Sequence, residues 1–160
     1  MTMKMGVKQT GENIRDNWQT PNYIMERVNE FYRGDYFDPF PPSPLVDAMI
    51  SPWEEKNLYL NPPYSRLPEI IKLSQWRGKT SIWLTHHNHD TVWFNHLAEQ
   101  CLAQCLLRKR VKFVNPSTGN SKSTAIGKCQ TLTLISPYAI YLDRFHTIFS
   151  DLGRIVINYR

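Results

Sequence analysis

The four residues Asn61-Pro62-Pro63-Tyr64 are the clearest candidate for a catalytic site in this chain. They follow a short apolar run, residues 58–60, which predicts a β-strand. Two prolines directly after a strand end its hydrogen-bond ladder and fix the backbone, so the Asn amide and the Tyr ring keep a set relation. The side-chain carbonyl of Asn61 and the backbone carbonyl of Pro62 are each able to accept a bond from one amino group. This arrangement suits methyl transfer to an exocyclic amino nitrogen, whose lone pair is otherwise delocalised into a planar base.

The ring of Tyr64 fits the same chemistry, because an aromatic side chain can stack on a base that has been rotated out of a duplex. A second interpretation is purely structural: Pro-Pro turns with a packed tyrosine also end strands, and the chain has 11 prolines. The tetrapeptide alone does not separate these two interpretations.

Alternating apolar and polar segments predict the elements that must position these residues. Thr20 as N-cap and Pro21 at the first helical position predict a helix that Gly34 ends. Further helices are predicted over residues 66–76, 90–107 (capped by Asp90) and 138–152. Strands are predicted over 36–38, 57–60, 80–85, 110–114, 131–136 and 155–157. A proline-rich connection is predicted over 39–56, and a long polar loop over 115–128.

Strands that alternate with helices predict an α/β fold with a mostly parallel sheet and helices on both faces. Ligands bind such sheets beyond the carboxyl ends of the strands. Three polar segments fall at such ends: Asp38-Pro39, residues 61–64, and His86 with its neighbours. The carboxylate of Asp38 is suited to the amino group or ribose of a ligand. An Asp-Pro turn without a binding role is the alternative.

A cluster of cations precedes and enters the polar loop, which favours a polyanionic partner. We predict that it binds DNA through Arg108, Lys109, Arg110, Lys112, Lys122 and Lys128. A solvated, charged edge strand is the alternative.

Three histidines, His86, His87 and His89, raise the question of a metal site. His86 and His87 are adjacent and would face opposite ways on a strand, and no fourth ligand stands nearby. Cys101 and Cys105 lie one turn apart on the predicted helix over 90–107, which favours buried, reduced thiols. We therefore expect no metal.

The tetrapeptide after a strand resembles the catalytic motif of amino-methyltransferases that use S-adenosylmethionine, chiefly adenine-N6 DNA methyltransferases. Trp18-Gln19-Thr20-Pro21 is similar to the N-terminal signature of small, phage-type, Dam-like members. In these enzymes the first strand ends in an acidic residue followed by Pro, and Asp38-Pro39 resembles that pair. Phe40 and two prolines stand here where the family has a glycine-rich turn. Trp93-Phe94 and the basic strand around Arg110 also match in order.

This resemblance implies a function and a set of site residues. It implies methyl transfer from S-adenosylmethionine to the amino group of adenine, flipped out of double-stranded DNA. The cofactor would be bound by Trp18, Thr20, Pro21, Asp38 and Pro39, with residues 61–64 as the catalytic set. It also implies a reduced Rossmann-like methyltransferase sheet. Two alternatives stay open: a catalytically degenerate fold that binds nucleic acid or protein, and an RNA or protein methyltransferase.

Length and composition agree with one globular domain. The chain has 160 residues, 41% of them hydrophobic and 12% aromatic, and a formal net charge of +5. We predict a flexible arm over residues 1–17 and a single domain over 18–160. The arm has no apolar core of a signal peptide, and no run is long enough to span a membrane. A cytoplasmic location is therefore expected.

Overall fold

The structure is a computed structural model that describes residues 18–42, 46–123 and 129–159. The predicted arm over residues 1–17 lies outside the described residues, as does Lys128. The side chain of Lys122 lies outside them too. Within the described ranges the chain forms one five-stranded sheet, one two-stranded hairpin and four α-helices.

Five strands form one open sheet. They are β1 (Asn57–Leu60), β2 (Thr80–His86), β3 (Ala103–Leu107), β6 (Gln130–Ile135) and β7 (Gly153–Ile157). Their order across the sheet is β1-β2-β6-β3-β7. Two shorter strands, β4 (Lys112–Val114) and β5 (Ser121–Ser123), pair with each other in a separate antiparallel hairpin. The helices are α1 (Asn22–Tyr32), α2 (Leu67–Ile71), α3 (Val92–Gln100) and α4 (Tyr141–Phe149).

The prediction of a mostly parallel sheet is wrong. Only β1 and β2 pair in parallel, whereas β6 runs antiparallel to both of its neighbours and β7 runs antiparallel to β3. The physical reason lies in the connection between β3 and β6, which contains the β4–β5 hairpin in place of a crossover helix. The strand that follows returns in the opposite direction and inserts between β2 and β3.

Helices cover both faces of the sheet, as the sequence predicted. On one face, α1 and α4 pack against Tyr59, Ile82 and Leu84 in a single buried cluster. On the other face, α2 packs with Leu58, Leu60 and Trp83 in a second cluster, to which α3 contributes Leu97. Alternate residues of β1 and β2 thus point into different cores, the two-residue period of a strand buried on both sides.

The predicted helix over residues 90–107 is wrong in its second half. Helix α3 begins after Thr91, whose hydroxyl accepts the N–H of Phe94, so that Thr91 is the cap in place of Asp90. The helix ends at Gln100, and Ala103–Leu107 instead forms β3 between β6 and β7. Cys101 and Cys105 are buried thiols as predicted, but they do not share a helix.

Several other predicted boundaries shift. Helix α2 is five residues long, shorter than the predicted helix over 66–76. The strand predicted over 36–38 is a single bridge between Phe37 and Leu58. Helix α1 begins at Asn22, and Arg33 and Gly34 end it with positive φ angles. Thr20 is not its cap, since no side chain caps this helix.

The N-terminal segment is joined to the β4–β5 hairpin by two backbone hydrogen bonds. The N–H of Gln19 donates to the carbonyl of Val114 over 2.8 Å, and the N–H of Val114 donates back over 2.9 Å. This antiparallel bridge places the hairpin beside residues 18–20. Part of the loop predicted over 115–128 is the strand β5 (Ser121–Ser123) of this hairpin.

Candidate active site

Three of the predicted site segments meet at one edge of the sheet. Phe37 bridges Leu58 in parallel, and β1 pairs with β2 in parallel, so their carboxyl ends lie side by side. Asp38 follows the first of these ends, Asn61 follows the second, and His86 is the last residue of β2. The part of the sheet that is parallel is therefore the part that carries the site.

A cavity of about 90 Å³ opens between the N-terminal segment and this edge. It is lined by Trp18, Gln19, Thr20, Met25, Asp38, Phe40, Pro42 and Asn61. The structure thus brings together four residues that the sequence placed in two roles: Trp18, Thr20 and Asp38 for the cofactor and Asn61 for catalysis. Pro21 and Pro39 are buried next to lining residues and are not themselves in the lining.

Four lining residues were missed at the sequence level: Gln19, Met25, Phe40 and Pro42. The two around Asp38, Phe40 and Pro42, belong to the segment that departs from a glycine-rich turn. Their side chains now form a wall where glycines would leave open backbone. Only the proximity of these residues to Asp38 in the sequence hinted at this role.

The amide of Asn61 is oriented by the backbone of the N-terminal segment. Its Nδ2 donates a hydrogen bond of 3.2 Å to the carbonyl oxygen of Trp18. Because the amide is planar, this bond directs Oδ1 to the opposite side of the group. Trp18 therefore has a role that its aromatic ring did not suggest, since its main chain sets the direction of the candidate catalytic acceptor.

Thr20 is held in the wall of the cavity by a buried tyrosine. Its Oγ1 lies 2.8 Å from the hydroxyl of Tyr59, which belongs to β1 and is fully buried. Thr20 lies one residue before the cap position of α1, which is Pro21, and its hydroxyl is bonded to Tyr59. This bond ties the N-terminal segment to the strand that precedes Asn61.

Asp38 lies in an environment that disfavours its charge. Burial raises the pKa of this carboxyl to about 6 from its ordinary 3.8, against an opposing effect of the Phe40 N–H, which donates to Oδ1 over 2.9 Å. A carboxyl with such a pKa becomes charged at little cost near neutral pH and gains most from a ligand that donates hydrogen bonds to it.

Tyr64 begins a short 3₁₀ turn over Tyr64–Arg66 that leads into α2. Its hydroxyl donates a long hydrogen bond, 3.4 Å, to the carbonyl of Leu84 in β2. The ring is half-buried and lies 4.1 Å, centroid to centroid, from the ring of His86 at an interplanar angle of 57°. Burial raises the pKa of the hydroxyl well above its ordinary range, so the phenol stays neutral.

The histidines divide between two sides of β2, as alternation predicted. His86 contacts Tyr64, whereas the Nδ1 of His87 lies 2.7 Å from the hydroxyl of Thr131 and its ring packs on Phe94 of α3. Burial, with a smaller effect of His89, lowers the pKa of His87. Nowhere in residues 18–42, 46–123 and 129–159 do three His, Cys, Asp or Glu side chains group as metal ligands would.

The predicted DNA-binding cations lie where β3 passes into the hairpin. Arg108, Lys109, Arg110 and Lys112 are exposed. Of these four, only Lys112 belongs to a strand, because β4 begins at Lys112 and not at Arg110 as predicted. Arg108 donates a 3.1 Å bond to the backbone carbonyl of Asp151, which directs it toward the end of α4. Within the described ranges, no helix is long and apolar enough to cross a membrane.

Comparison with known families and proteins gives one match. A model of the DNA N-6-adenine-methyltransferase (Dam) family matches residues 43–151, about two thirds of the chain. No curated protein and no solved structure matches the chain. The matched range includes Asn61, Tyr64 and the exposed cations, and begins after Trp18, Thr20 and Asp38. With its family match spanning most of the sheet and the edge that carries Asn61, the chain belongs to the DNA N-6-adenine-methyltransferase (Dam) family.

Proposed function

We propose that this protein transfers a methyl group from S-adenosylmethionine to the exocyclic N6 of adenine in double-stranded DNA. The observation that carries the proposal is the shared cavity, in which the oriented amide of Asn61 stands beside Trp18, Thr20 and Asp38. The acceptor and the predicted cofactor residues are thus contiguous. Membership of the family supplies the class of reaction and of substrate.

The residues of the cavity fit one part of the cofactor. The volume of about 90 Å³ is smaller than the roughly 300 Å³ or more of a site for a whole small molecule, so it encloses a portion of the cofactor only. Trp18, Met25 and Phe40 offer apolar contact, and Asp38 offers a carboxylate for an ammonium or hydroxyl group. When bound, S-adenosylmethionine supplies an electrophilic methyl group on a sulfonium.

Asn61 would act on the nucleophile. Its Oδ1 points away from Trp18 and is placed to accept one N–H of the adenine amine, and the carbonyl of Pro62 would accept the other. Two such bonds return electron density to nitrogen and aim its lone pair. Alignment and hydrogen bonding at a fixed site then account for the acceleration. The amine needs no prior deprotonation, because its acidity rises once it carries positive charge.

Tyr64 would hold the base in plane. Its neutral, half-buried ring offers a surface for stacking a base that has left the duplex. The exposed cations around Lys112 would hold the phosphates on either side. The residues thus divide into three functions: cofactor contact, nucleophile orientation and substrate binding.

Methyl transfer to plasmid DNA tests the proposal. Plasmid from a host without adenine methylation is incubated with the protein and methyl-labelled S-adenosylmethionine, and the DNA is digested to nucleosides. Label in N6-methyldeoxyadenosine is the expected result. Label in RNA or in the protein fraction of parallel reactions would assign a different substrate.

Calorimetric measurement of cofactor binding distinguishes an active methyltransferase from the remaining alternative, a catalytically degenerate fold. Binding without methyl transfer to any acceptor would identify a degenerate fold that keeps its ligand. The Asn61→Ala variant serves as the matched control, since it should lose the product and keep cofactor binding.

A further inference from the structure

His86 is connected by a continuous series of contacts to the base of the β4–β5 hairpin. The backbone N–H of Val111 donates to Oε1 of Gln130 over 3.2 Å. Nε2 of the same Gln130 lies 3.1 Å from Nδ1 of His86. The ring of His86 in turn contacts the ring of Tyr64. This series links residues from three separate segments, through His86, to the tyrosine of the candidate catalytic tetrapeptide.

The hydrogen bonds fix the tautomer of His86. Because the group of Val111 that faces Gln130 is its N–H, the atom of Gln130 that meets it must be the acceptor Oε1. Nε2 of Gln130 is then a donor toward His86, which makes Nδ1 an acceptor and places the ring proton on Nε2. Gln130 is 1% exposed and Val111 is fully buried, so solvent does not offer this amide an alternative partner.

We infer that His86 is a positioning residue for Tyr64, held in place by Gln130 and Val111, and that it sets the plane in which the tyrosine ring meets the base. The inference rests on the proposed function. The Tyr64 ring packs against both cores and its hydroxyl donates a 3.4 Å bond to Leu84. The His86 ring, 4.1 Å away at the end of β2, is an aromatic contact that borders the Tyr64 ring and restrains its tilt. No family pattern in the chain pointed to this histidine.

The alternative is that His86 only packs at the end of β2. The two roles differ in what they do to methyl transfer when the fold is intact. A positioning role requires that the effect of His86 act through Tyr64, whereas simple packing changes stability and leaves the rate of the folded enzyme alone.

The test is a double-mutant cycle on Tyr64 and His86. His86→Asn places an amide oxygen near the position of Nδ1, so the bond from Gln130 survives while the aromatic ring beside Tyr64 is removed. We expect the variant to keep the melting temperature of the wild type and to lose about tenfold in kcat with DNA, with the KM for the cofactor unchanged. The double variant His86→Asn/Tyr64→Ala should be no slower than Tyr64→Ala alone.

Two further measurements complete the experiment. His86→Phe restores an aromatic ring and should recover part of the rate, and His146→Asn, an exposed histidine on α4, is the matched control. Long-range proton–nitrogen NMR on the wild type should show the ring proton on Nε2. A proton on Nδ1 would overturn the assigned hydrogen-bond direction.

The outcomes separate this inference from the proposed function. An active wild type together with a fully active His86→Asn, or with additive losses in the cycle, would overturn the positioning role and leave the function standing. An inactive wild type that binds the cofactor would overturn both.

Discussion

At the scale of single residues, Asn61 carries the most direct test of the chemistry. Its Oδ1 is directed by the bond from Nδ2 to Trp18, so Asn61→Ala removes one acceptor without touching an apolar wall. Loss of one such interaction in the transition state costs about 3 kcal/mol, a hundredfold or more in rate. Methyl transfer should fall by that factor in single-turnover assays, while calorimetry should show nearly unchanged cofactor affinity.

The control for this variant is Asn22→Ala, an exposed asparagine at the start of α1. It should retain the wild-type rate. A folded Asn61→Ala protein with a comparable rate would contradict the role assigned to this amide.

Asp38 predicts a dependence of stability on pH. Its pKa is about 6 in the folded protein and 3.8 ordinarily, so between these values the folded state keeps a proton that the unfolded chain has lost. This group alone therefore lowers the free energy of unfolding as the pH rises through that window. Asp38→Asn should remove that component of the slope in urea denaturation series, whereas Asp35→Asn, at an exposed position, should not.

The same carboxyl predicts the opposite dependence for ligand binding. A neutral Asp38 accepts hydrogen bonds less well, so cofactor affinity should fall as the pH drops below about 6. Calorimetric titrations of the cofactor across this pH range, repeated with Asp38→Asn, check whether the affinity falls as the pH drops. A pH-independent affinity in the wild type would remove Asp38 from the binding site.

At the scale of elements, β1 is bound to the N-terminal segment by the hydroxyls of Tyr59 and Thr20. Tyr59→Phe removes one partner and leaves the Thr20 hydroxyl buried and unpaired, which costs about 1–3 kcal/mol. Urea denaturation should show this loss, and cofactor affinity should weaken because Thr20 lines the cavity. Tyr138→Phe, at an exposed tyrosine, is the matched control. Unchanged stability would mean that the bond contributes nothing.

Elements with a strong local signal were predictable from the sequence. The apolar runs that form β1, β2 and β6 are buried strands because their residues fill both cores. The region around Cys105 was not predictable, since a short apolar run fits a helix and a buried strand equally well. Pairing with β6 and β7 decides the outcome there, and such pairing is not encoded within the segment.

In the candidate site, too, some features follow from local sequence and others depend on contacts between distant segments. The position of Asn61 and Tyr64 at a strand end follows from local sequence, whereas Asp38 lies near them because Phe37 bridges Leu58 in parallel. The bond between Asn61 and the Trp18 carbonyl could not be predicted, because it joins main chain and side chain over a long separation. The contact of His86 with Tyr64 depends likewise on the register of β1 and β2.

At the scale of the whole molecule, the direction of each strand depends on its connections. The sheet is antiparallel around β6 because a hairpin, and not a helix, precedes that strand. Hydrophobic patterning reports burial, and burial is the same for either direction. The sequence therefore indicated an α/β protein with two covered faces but not the order of its strands.

DNA binding is the property of the whole molecule that the exposed cations are expected to control. Arg110 and Lys112 are exposed, whereas Arg108 is bonded to the Asp151 carbonyl. Arg110→Gln/Lys112→Gln should reduce the slope of log affinity against log salt by about 0.9 for each phosphate that is no longer neutralised. Fluorescence anisotropy over a salt series measures this slope, and Arg108→Gln alone should change it less.

The matched control carries the same change in net charge elsewhere: Lys72→Gln/Arg154→Gln, at two exposed positions. A control that flattens the slope as much would show a diffuse effect of net charge. An unchanged slope in the first variant would place DNA on another surface.

The bridge between Gln19 and Val114 makes the two ligands energetically interdependent. Strand β4 of the β4–β5 hairpin is hydrogen-bonded to Gln19, which lines the cavity. A duplex that reduces the motion of the hairpin would therefore also reduce the motion of the cavity wall. Such a coupling free energy is reciprocal. Bound DNA should raise the affinity of the protein for the cofactor by the same factor as bound cofactor raises its affinity for DNA. Dissociation constants of S-adenosylhomocysteine with and without duplex, and of duplex with and without S-adenosylhomocysteine, should therefore change by one common ratio, greater than unity.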